Sequence, residues 1–356
     1  MPRRTRAFLF TGSHAGCYHA MTRILERRLV LDDAAKEFLV KTMRAYEAVL
    51  GVEILTFCVM SNHLHVLLRI PHRPAGFDVP LEVVVARLER AVGKEAFSLI
   101  RKELAFWEQT SNTAALEAWR QQQVARMFSL SEFMRCLKQR FTWWYNQKNG
   151  RQGTIWESRF TSVIVEEEER ALRTIAAYID LNPVRAGLVP DPAAYRWSGY
   201  AEAMAGQAQA RRGLVRIIGQ MAWPRATAAG SRPWSDDPFP PAIATRALVF
   251  YRAILGSQSP PKNHPGGTVI RRGVSETVRQ RLTTPNERRL AAEVLSRRVQ
   301  HFTKGVIVGS RAFIDQWFEE NRDLCRGRSR TGRQRGAKPM GRPALRGLYC
   351  FRSPKS

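Results

Sequence analysis

The sequence predicts an α+β fold in which an antiparallel sheet has helices packed on one face. A β-rich run from about Gly16 to Leu25 precedes a helical stretch, which begins at Asp32-Asp33 and ends at Gly51. Two further β-rich runs follow, Val52 to Met60 and His63 to Ile70. This order of strand, helix, strand and strand suits an antiparallel sheet with helices on one face.

Further helices are predicted after the third strand. Residues 71–80 contain three prolines and end the sheet, and the polar stretch 81–127 is typical of an inserted pair of helices. A long helix, 131–146, follows with apolar residues at three- and four-residue steps. Four glutamates, 166–169, favour the start of another helix, because acidic groups stabilise a helix N-terminus. That helix ends before Pro183.

Composition divides the chain into successive regions. Residues 1–200 are predicted to form one domain, with the helical insertion at about 81–127. A linker rich in Ala, Gly, Pro and Arg is predicted over 201–244, with a short helix at Leu214 to Met221, and a helical region is predicted over 245–321. The tail, 322–356, has eleven basic residues and one acidic residue, a charge of 11 − 1 = +10, and is predicted to be disordered.

The charge of the whole chain indicates its class of partner. Lys and Arg number 57 against 31 Asp and Glu, which gives a net charge of +26. A membrane surface, an acidic substrate and nucleic acid all suit such a charge, and nucleic acid is favoured for a folded basic chain. The 44% of hydrophobic residues excludes a wholly disordered polycation.

Two further classes are disfavoured by the sequence. The five cysteines are odd in number and show no CxxC spacing, which argues against a disulfide framework and a cysteine zinc site. No apolar run approaches the roughly 18 to 20 residues that a membrane span needs. We therefore expect a cytoplasmic protein, associated with the nucleoid.

The sharpest local motif is His63-Leu64-His65. Residues i and i+2 of a strand point to the same face, so both imidazoles can approach one divalent ion. Two histidine ligands leave such an ion open to water and phosphate oxygens. The alternative is a pair of partly exposed strand residues without a ligand.

Tyr178 is the second candidate, on the helix that follows the glutamates. Asn182 lies four residues later, so both side chains are expected on one helical face. A tyrosine hydroxyl can attack a phosphodiester, and an amide oxygen can complete a metal site. The alternative is a half-buried aromatic residue followed by a helix C-cap before Pro183.

A third candidate is the helix from Phe133 to Asn146, which mixes basic and aromatic residues. The cations Arg135, Lys138 and Arg140 share a broad face suited to phosphates. Aromatic side chains outside the core, such as Trp143, can stack on unpaired bases, although most aromatics of this helix are expected in the core.

Four motifs in this order resemble the REP-associated tyrosine transposases, which are single-tyrosine HUH transposases with an IS200-like domain. The resemblance covers roughly Cys17 to Tyr200, and the region around Thr303 to Phe318 is similar to C-terminal extensions of some relatives. The motifs are SNHLHVLL at Ser61–Leu68, FMRCLKQRFTWWYN at Phe133–Asn146, GTIWESRF at Gly153–Phe160, and AAYIDLNPVRAGLV with YRWSGY at Ala176–Val189 and Tyr195–Tyr200.

The resemblance implies a ferredoxin-like HUH domain and metal-dependent cleavage of single-stranded DNA that carries palindromic hairpins. His63 and His65 would be metal ligands for Mg²⁺ or Mn²⁺, Asn182 would complete the metal site, and Tyr178 would be the nucleophile. Cleavage would give a 5′-phosphotyrosine and a free 3′-hydroxyl. Arg185, in the same motif as Tyr178, would bind DNA.

Several alternatives stay open at this point. A non-catalytic protein that binds palindromic hairpins would keep the fold and the basic helix, and a small-molecule phosphohydrolase would leave the basic tail without a role. The segment from Gly305 through Trp317 suits either a helical DNA-binding element or a packing appendage. Both a homodimer and a monomer are compatible with the sequence.

Overall fold

The computed structural model describes residues 16–219, 240–256, 301–320 and 349–351. Six strands in these residues form one sheet: β1 (Gly16–Arg23), β2 (Glu53–Val59), β3 (His63–Ile70), β4 (Thr161–Val165), β5 (Ile307–Gly309) and β6 (Tyr349–Phe351). The helices of the first part are α1 (Asp33–Leu50), α2 (Leu81–Ala91), α3 (Lys94–Gln109), α4 (Thr113–Ala125), α5 (Leu130–Asn149), α6 (Glu169–Asp180) and α7 (Asn182–Arg185). Those of the second part are α8 (Gly199–Met204), α9 (Ala208–Ile218), α10 (Pro241–Gly256), α11 (His301–Lys304) and α12 (Arg311–Glu320).

The first four strands have the predicted topology. The order in the sheet is β2-β3-β1-β4-β5-β6, and β1 pairs antiparallel with both β3 and β4. Helix α1 connects β1 to β2 and helix α5 precedes β4, which is the ferredoxin-like arrangement of a split βαβ unit. The α+β class is therefore confirmed.

Helices cover both faces of the sheet, whereas the sequence suggested one. Helices α1 and α5 pack on one face, called here the α5 face, against Tyr18, Leu64 and Val66. Helices α6 and α9 pack on the other, called here the α6 face, against Cys17 and Leu67. Successive strand residues point to opposite faces, and here both sets are apolar, so each face needs its own helical layer.

Helix α9 lies within the stretch that was expected to be a linker. Its side chains Leu214, Ile217 and Ile218 are buried on the α6 face. A Cβ atom at Gly213 would lie 2.3 Å from the backbone oxygen of Leu55, so glycine is needed where the helix meets β2. This part of the predicted linker is a packed element of the fold.

The C-terminal segment 301–320 also belongs to the sheet. Strand β5 pairs in parallel with β4, and the Glu166 carboxylate accepts hydrogen bonds from the backbone N–H (2.6 Å) and hydroxyl (2.9 Å) of Ser310. Trp317, on α12, is 1% exposed and packs on the α5 face. Of the two alternatives for this region, packing is the one these contacts support.

The remaining predictions for this part of the chain have different outcomes. Residues 81–127 contain three helices, α2 to α4, instead of a pair. The predicted tail lies outside the described residues except for β6, which pairs with β5, so at this point the tail is a strand and not disordered. The open edge of β5 provides backbone groups for it. The division into domains stays a prediction, and no helix in the described ranges is long and apolar enough to cross a membrane.

Replacing Trp317 by alanine tests whether the C-terminal segment is part of the core. We expect the free energy of unfolding to fall by about 3–5 kcal/mol, because a large buried side chain leaves a cavity. Urea unfolding followed by circular dichroism measures this change. The control is Gln316→Ala on the exposed side of the same helix, expected to stay within about 0.5 kcal/mol. Equal stability of the two variants would show that the segment is an appendage.

Candidate active site

Strands β1 and β3 bring three histidines together on the α6 face. In their antiparallel register Arg23 lies opposite His63, Met21 opposite His65, and His19 opposite Leu67. The ring centroids of His63 and His65 are 5.0 Å apart, and those of His19 and His65 are also 5.0 Å apart. The predicted pair is thus extended by His19, a fully buried third imidazole.

Hydrogen bonds occupy the Nδ1 atom of both predicted metal ligands. Nδ1 of His63 lies 2.6 Å from Oδ1 of Asn62, whose Nδ2 donates to the backbone oxygen of Arg27 at 2.9 Å. Because Oδ1 only accepts, His63 carries its proton on Nδ1 and keeps a lone pair on Nε2. Nδ1 of His65 lies 2.9 Å from Nε2 of His19, which leaves Nε2 of His65 for a ligand.

Burial keeps these imidazoles neutral. Desolvation lowers the pKa of His63 to about 4, with a further contribution from Arg23. It lowers the pKa of His19 to about 4 and that of His65 well below its usual value. The neutral form is the one that binds a metal ion, so at neutral pH no proton has to leave these rings.

Helix α6 places Tyr178 beside the histidines. The side chain of Glu168 caps this helix, and the buried residues of the helix pack on the sheet. The ring centroid of Tyr178, which is half-buried, lies 5.9 Å from that of His65 and 6.0 Å from that of His19. The structure thus brings His63, His65 and Tyr178 into one site, although they are far apart in sequence.

Arg185 connects Tyr178 to Asn182. Its guanidinium lies 4.1 Å from the Tyr178 ring centroid and donates to the backbone oxygen of Tyr178 (2.7 Å) and to Oδ1 of Asn182 (2.8 Å). Helix α6 ends at Asp180 and Asn182 begins α7, so α6 ends two residues before the boundary predicted at Pro183. Leu181, between the two helices, keeps a helical conformation (φ −87°, ψ 0°). Pro183 has no N–H with which to extend the bonds of α6.

The donor set at the site fits a divalent ion bound through few protein groups. In the described part of the chain, no group of three or more His, Cys, Asp or Glu side chains could hold a metal ion. Two Nε2 lone pairs, from His63 and His65, are present on one strand face. Oδ1 of Asn182 has a second lone pair beside the one that Arg185 engages, and its buried Nδ2 has no partner.

The predicted DNA-binding residues of α5 lie away from this site. Helix α5 packs on the α5 face, across the sheet from the histidines. Arg135 pairs with Glu132, Lys138 donates to the backbone oxygen of Ser158, and Arg140 lies 4.9 Å from the ring centroid of Trp143. Trp143 is 45% exposed. Only Arg185, among the predicted DNA contacts, lies at the candidate active site.

Asp180, the last residue of α6, is hydrogen-bonded to residues of three neighbouring elements. Its carboxyl group, which is fully buried, accepts hydrogen bonds from the hydroxyls of Thr56 (2.9 Å) and Tyr251 (2.5 Å), and its neighbours include the backbone N–H of Tyr200. Burial raises the pKa of Asp180 to about 7, and the three hydrogen bonds oppose that rise. The carboxyl group therefore ties α6 to β2, α8 and α10.

Sequence reasoning missed His19, Arg23 and Phe302. His19 and Arg23 lie in the predicted first strand on the face of the histidine pair, but only the strand register shows which residues they meet. The backbone oxygen of Phe302 lies 2.9 Å from Nδ1 of His19, and its ring lies 5.4 Å from that of Tyr178. A main-chain contact from such a distant segment leaves no signal in the sequence.

The N-terminal part of the chain, which carries the histidine pair, is similar to a known protein family. Residues 13–79, which include β1, α1, β2 and β3, match the family model described as "Transposase IS200 like". One solved structure, of a REP-associated tyrosine transposase bound to a REP hairpin, aligns with 57% of this chain and 86% of its own, at 15% identity and a TM-score of 0.36. No curated protein matches at a comparable level of significance. The family match supports transposase function, and it confirms the resemblance that the motifs indicate for the part of the chain that carries His63 and His65, residues 13–79.

Proposed function

We propose that this protein is a metal-dependent transposase that cleaves and rejoins hairpin-bearing single-stranded DNA through a 5′-phosphotyrosine at Tyr178. The observation that carries the proposal is the contact between two distant motifs. The Tyr178 ring lies 5.9 Å from the His65 ring, between centroids, on the face that also holds His63. Two neutral imidazoles can hold a divalent ion, and a divalent ion beside the tyrosine hydroxyl could polarise the phosphate that the tyrosine attacks.

The proposed reaction exchanges one phosphoester bond for another. The Tyr178 hydroxyl oxygen attacks the phosphorus atom of the scissile phosphodiester, and the bond from phosphorus to the 3′-oxygen breaks. The departing oxygen takes up a proton and becomes a 3′-hydroxyl, while the proton of Tyr178 is released. A later 3′-hydroxyl attacks the phosphotyrosine, restores the tyrosine and rejoins DNA, so the bond energy is conserved.

His63 and His65 would hold the divalent ion, Mg²⁺ or Mn²⁺, through Nε2, and Asn182 would contribute its amide oxygen. When bound, such an ion supplies Lewis-acid polarisation of a phosphate oxygen. Two cations of this chain lie beside the same place: Arg185 over the tyrosine ring, and Arg23, exposed opposite His63. Their positive charge favours an anionic phosphate in the site and the charge that develops during attack.

The hairpin is the partner that the motif resemblance implies, and the charge of +26 suits it. Arg135, Lys138, Arg140 and Trp143 on α5 would hold DNA on the opposite side of the sheet from the cleavage site. A DNA strand that reaches both surfaces has to pass around the sheet. Because phosphate contacts release counterions, binding should weaken steeply as the salt concentration rises.

The test uses the full chain and end-labelled single-stranded oligonucleotides that carry palindromic hairpins from the DNA flanking its own gene. With Mg²⁺ or Mn²⁺ we expect a cleaved strand with a 3′-hydroxyl and a protein–DNA adduct that survives denaturing electrophoresis. EDTA and His63→Ala should each abolish both products. The matched control is His72→Ala, at an exposed histidine outside the site, which should cleave as the unaltered protein does.

The same experiment separates the proposal from its main competitor. Tight binding to hairpins without cleavage in either metal would identify a non-catalytic binding protein and contradict the proposal. Cleavage that is unaffected by EDTA would contradict the role of the histidine pair.

A further inference from the structure

We infer that His19 and Phe302, which lies in the C-terminal segment 301–320, are positioning residues that hold His65 in the neutral tautomer whose Nε2 lone pair is free to bind a metal ion. The inference rests on the proposed function, because it gives His65 the role of a ligand. Its geometric basis is a chain of two hydrogen bonds, from Phe302 through His19 to His65. Both histidines and Phe302 are at least 95% buried.

The donor and acceptor at each step of this hydrogen-bond chain follow from its first group, the backbone oxygen of Phe302. The backbone oxygen of Phe302, 2.9 Å from Nδ1 of His19, can only accept a hydrogen bond, so His19 carries a proton on Nδ1. A neutral imidazole has one N–H. His19 is fully buried, and its two ring nitrogens face an uncharged backbone oxygen and another imidazole, so the contacts of these two nitrogens provide no negative charge to stabilise a second ring proton. Nε2 of His19 is therefore an acceptor.

The second step transfers this constraint to His65. Nε2 of His19 lies 2.9 Å from Nδ1 of His65, so His65 must donate from Nδ1. The lone pair of His65 is then on Nε2, away from His19. His63 has the same tautomer for a separate reason, its bond to Asn62, so two independent contacts give both predicted ligands the same form.

The buried position of Phe302 makes the constraint firm. Beyond Phe302, the chain is held to the sheet by hydrogen bonds from Ile164 N to Val306 O (2.8 Å) and from Glu166 N to Val308 O (2.9 Å). The ring of Phe302 also meets the ring of Tyr178 edge to face, with centroids 5.4 Å apart. Phe302 thus contacts the proposed nucleophile, Tyr178, and orients the proposed ligand, His65, through His19.

The expected effect on metal binding is large for residues that do not touch the ion. Partners that orient ligating histidines typically change metal affinity about 10–100-fold when removed. His19→Leu removes the acceptor for the His65 N–H and places an apolar side chain in the buried position. His19→Gln supplies a side-chain oxygen that accepts the same proton and should restore most of the affinity.

Two measurements on the full chain test the inference. In metal-free protein labelled with ¹⁵N in its histidine rings, long-range nitrogen–proton spectra should show His19, His63 and His65 as Nδ1–H tautomers. In a titration with Mn²⁺ followed by electron paramagnetic resonance, His19→Leu should bind about 10–100-fold more weakly than the unaltered chain. His72→Ala serves as the control, and thermal unfolding establishes that each variant is folded.

The outcomes distinguish this inference from the proposed function. An Nε2–H tautomer of His65 in the unaltered protein overturns the inference, as does normal Mn²⁺ affinity of folded His19→Leu. If the unaltered protein does not bind Mn²⁺ at all, the proposed metal site fails, while the spectra still decide whether the hydrogen-bond chain exists. The spectra of the unaltered chain need no substitution, so a variant that fails to fold does not remove the test.

Discussion

Replacing Tyr178 by phenylalanine should abolish covalent capture of DNA and leave DNA binding intact. The substitution removes only the hydroxyl oxygen, which is the atom proposed to form the bond to phosphorus. We expect the yield of the adduct to fall by more than about 10³-fold, because the proposed bond to phosphorus forms at that oxygen. Denaturing electrophoresis of labelled DNA measures the adduct, and a gel-shift titration measures binding.

The contacts of the Tyr178 ring make this a clean comparison. The ring packs against His65, Phe302 and the Arg185 guanidinium, and phenylalanine retains all three contacts. Tyr145→Phe, on α5 at the opposite face, is the matched control and should form the adduct normally. An adduct formed at normal yield by Tyr178→Phe would show that another residue is the nucleophile.

Asp180 should make the stability of the protein depend on pH in an unusual direction. Burial raises its pKa from an ordinary value of 3.8 to about 7 in the folded protein. Between these two values the folded state holds a proton that the unfolded state has released. The contribution of Asp180 to stability is therefore present at low pH and is lost as pH rises from about 4 to about 7, by up to about 1.4 kcal/mol for each pH unit.

The Asp180→Asn variant isolates this effect. The pKa values of His19, His63 and His65 are lowered in the folded protein. Their contribution to the free energy of unfolding therefore decreases as pH falls below 6.5, which is opposite to the pH dependence expected from Asp180. The prediction therefore concerns the difference in unfolding free energy between the unaltered chain and Asp180→Asn, measured in urea at several pH values. That difference should shrink as pH rises, and the corresponding difference for Gln316→Ala, which removes no titratable group, should stay constant over the same pH range. A constant difference for Asp180→Asn would contradict the raised pKa.

The elements that could be predicted from the sequence are those with strong local signals. The helix α1 begins at its Asp32 cap and ends at Gly51, which has a φ of +63°, and β3 has the predicted bounds of His63 to Ile70. Caps, glycine stops and β-rich runs act between residues that are near in sequence, so no partner is needed to recognise them.

The rest depends on long-range pairing. The layer on the α6 face includes α9, whose short helical pattern lies in a stretch rich in Ala, Gly and Arg and shows no sign of its partner β2. At the site, the pair His63 and His65 follows from strand alternation alone. His19 becomes part of the site through the register of β1 with β3, and Phe302 through a backbone oxygen, which any residue type could provide.

The parallel pairing of β5 with β4 has a consequence for protein synthesis. Ribosomes synthesise His19, His63, His65 and Tyr178 long before Phe302. A nascent chain therefore carries these side chains well before the C-terminal segment that completes the site has been made. A chain truncated by a stop codon ahead of residue 301 would likewise retain the nucleophile but not the contact that orients His65. On the proposed mechanism, the enzyme gains its full capacity to cut DNA only after translation has passed the C-terminal segment.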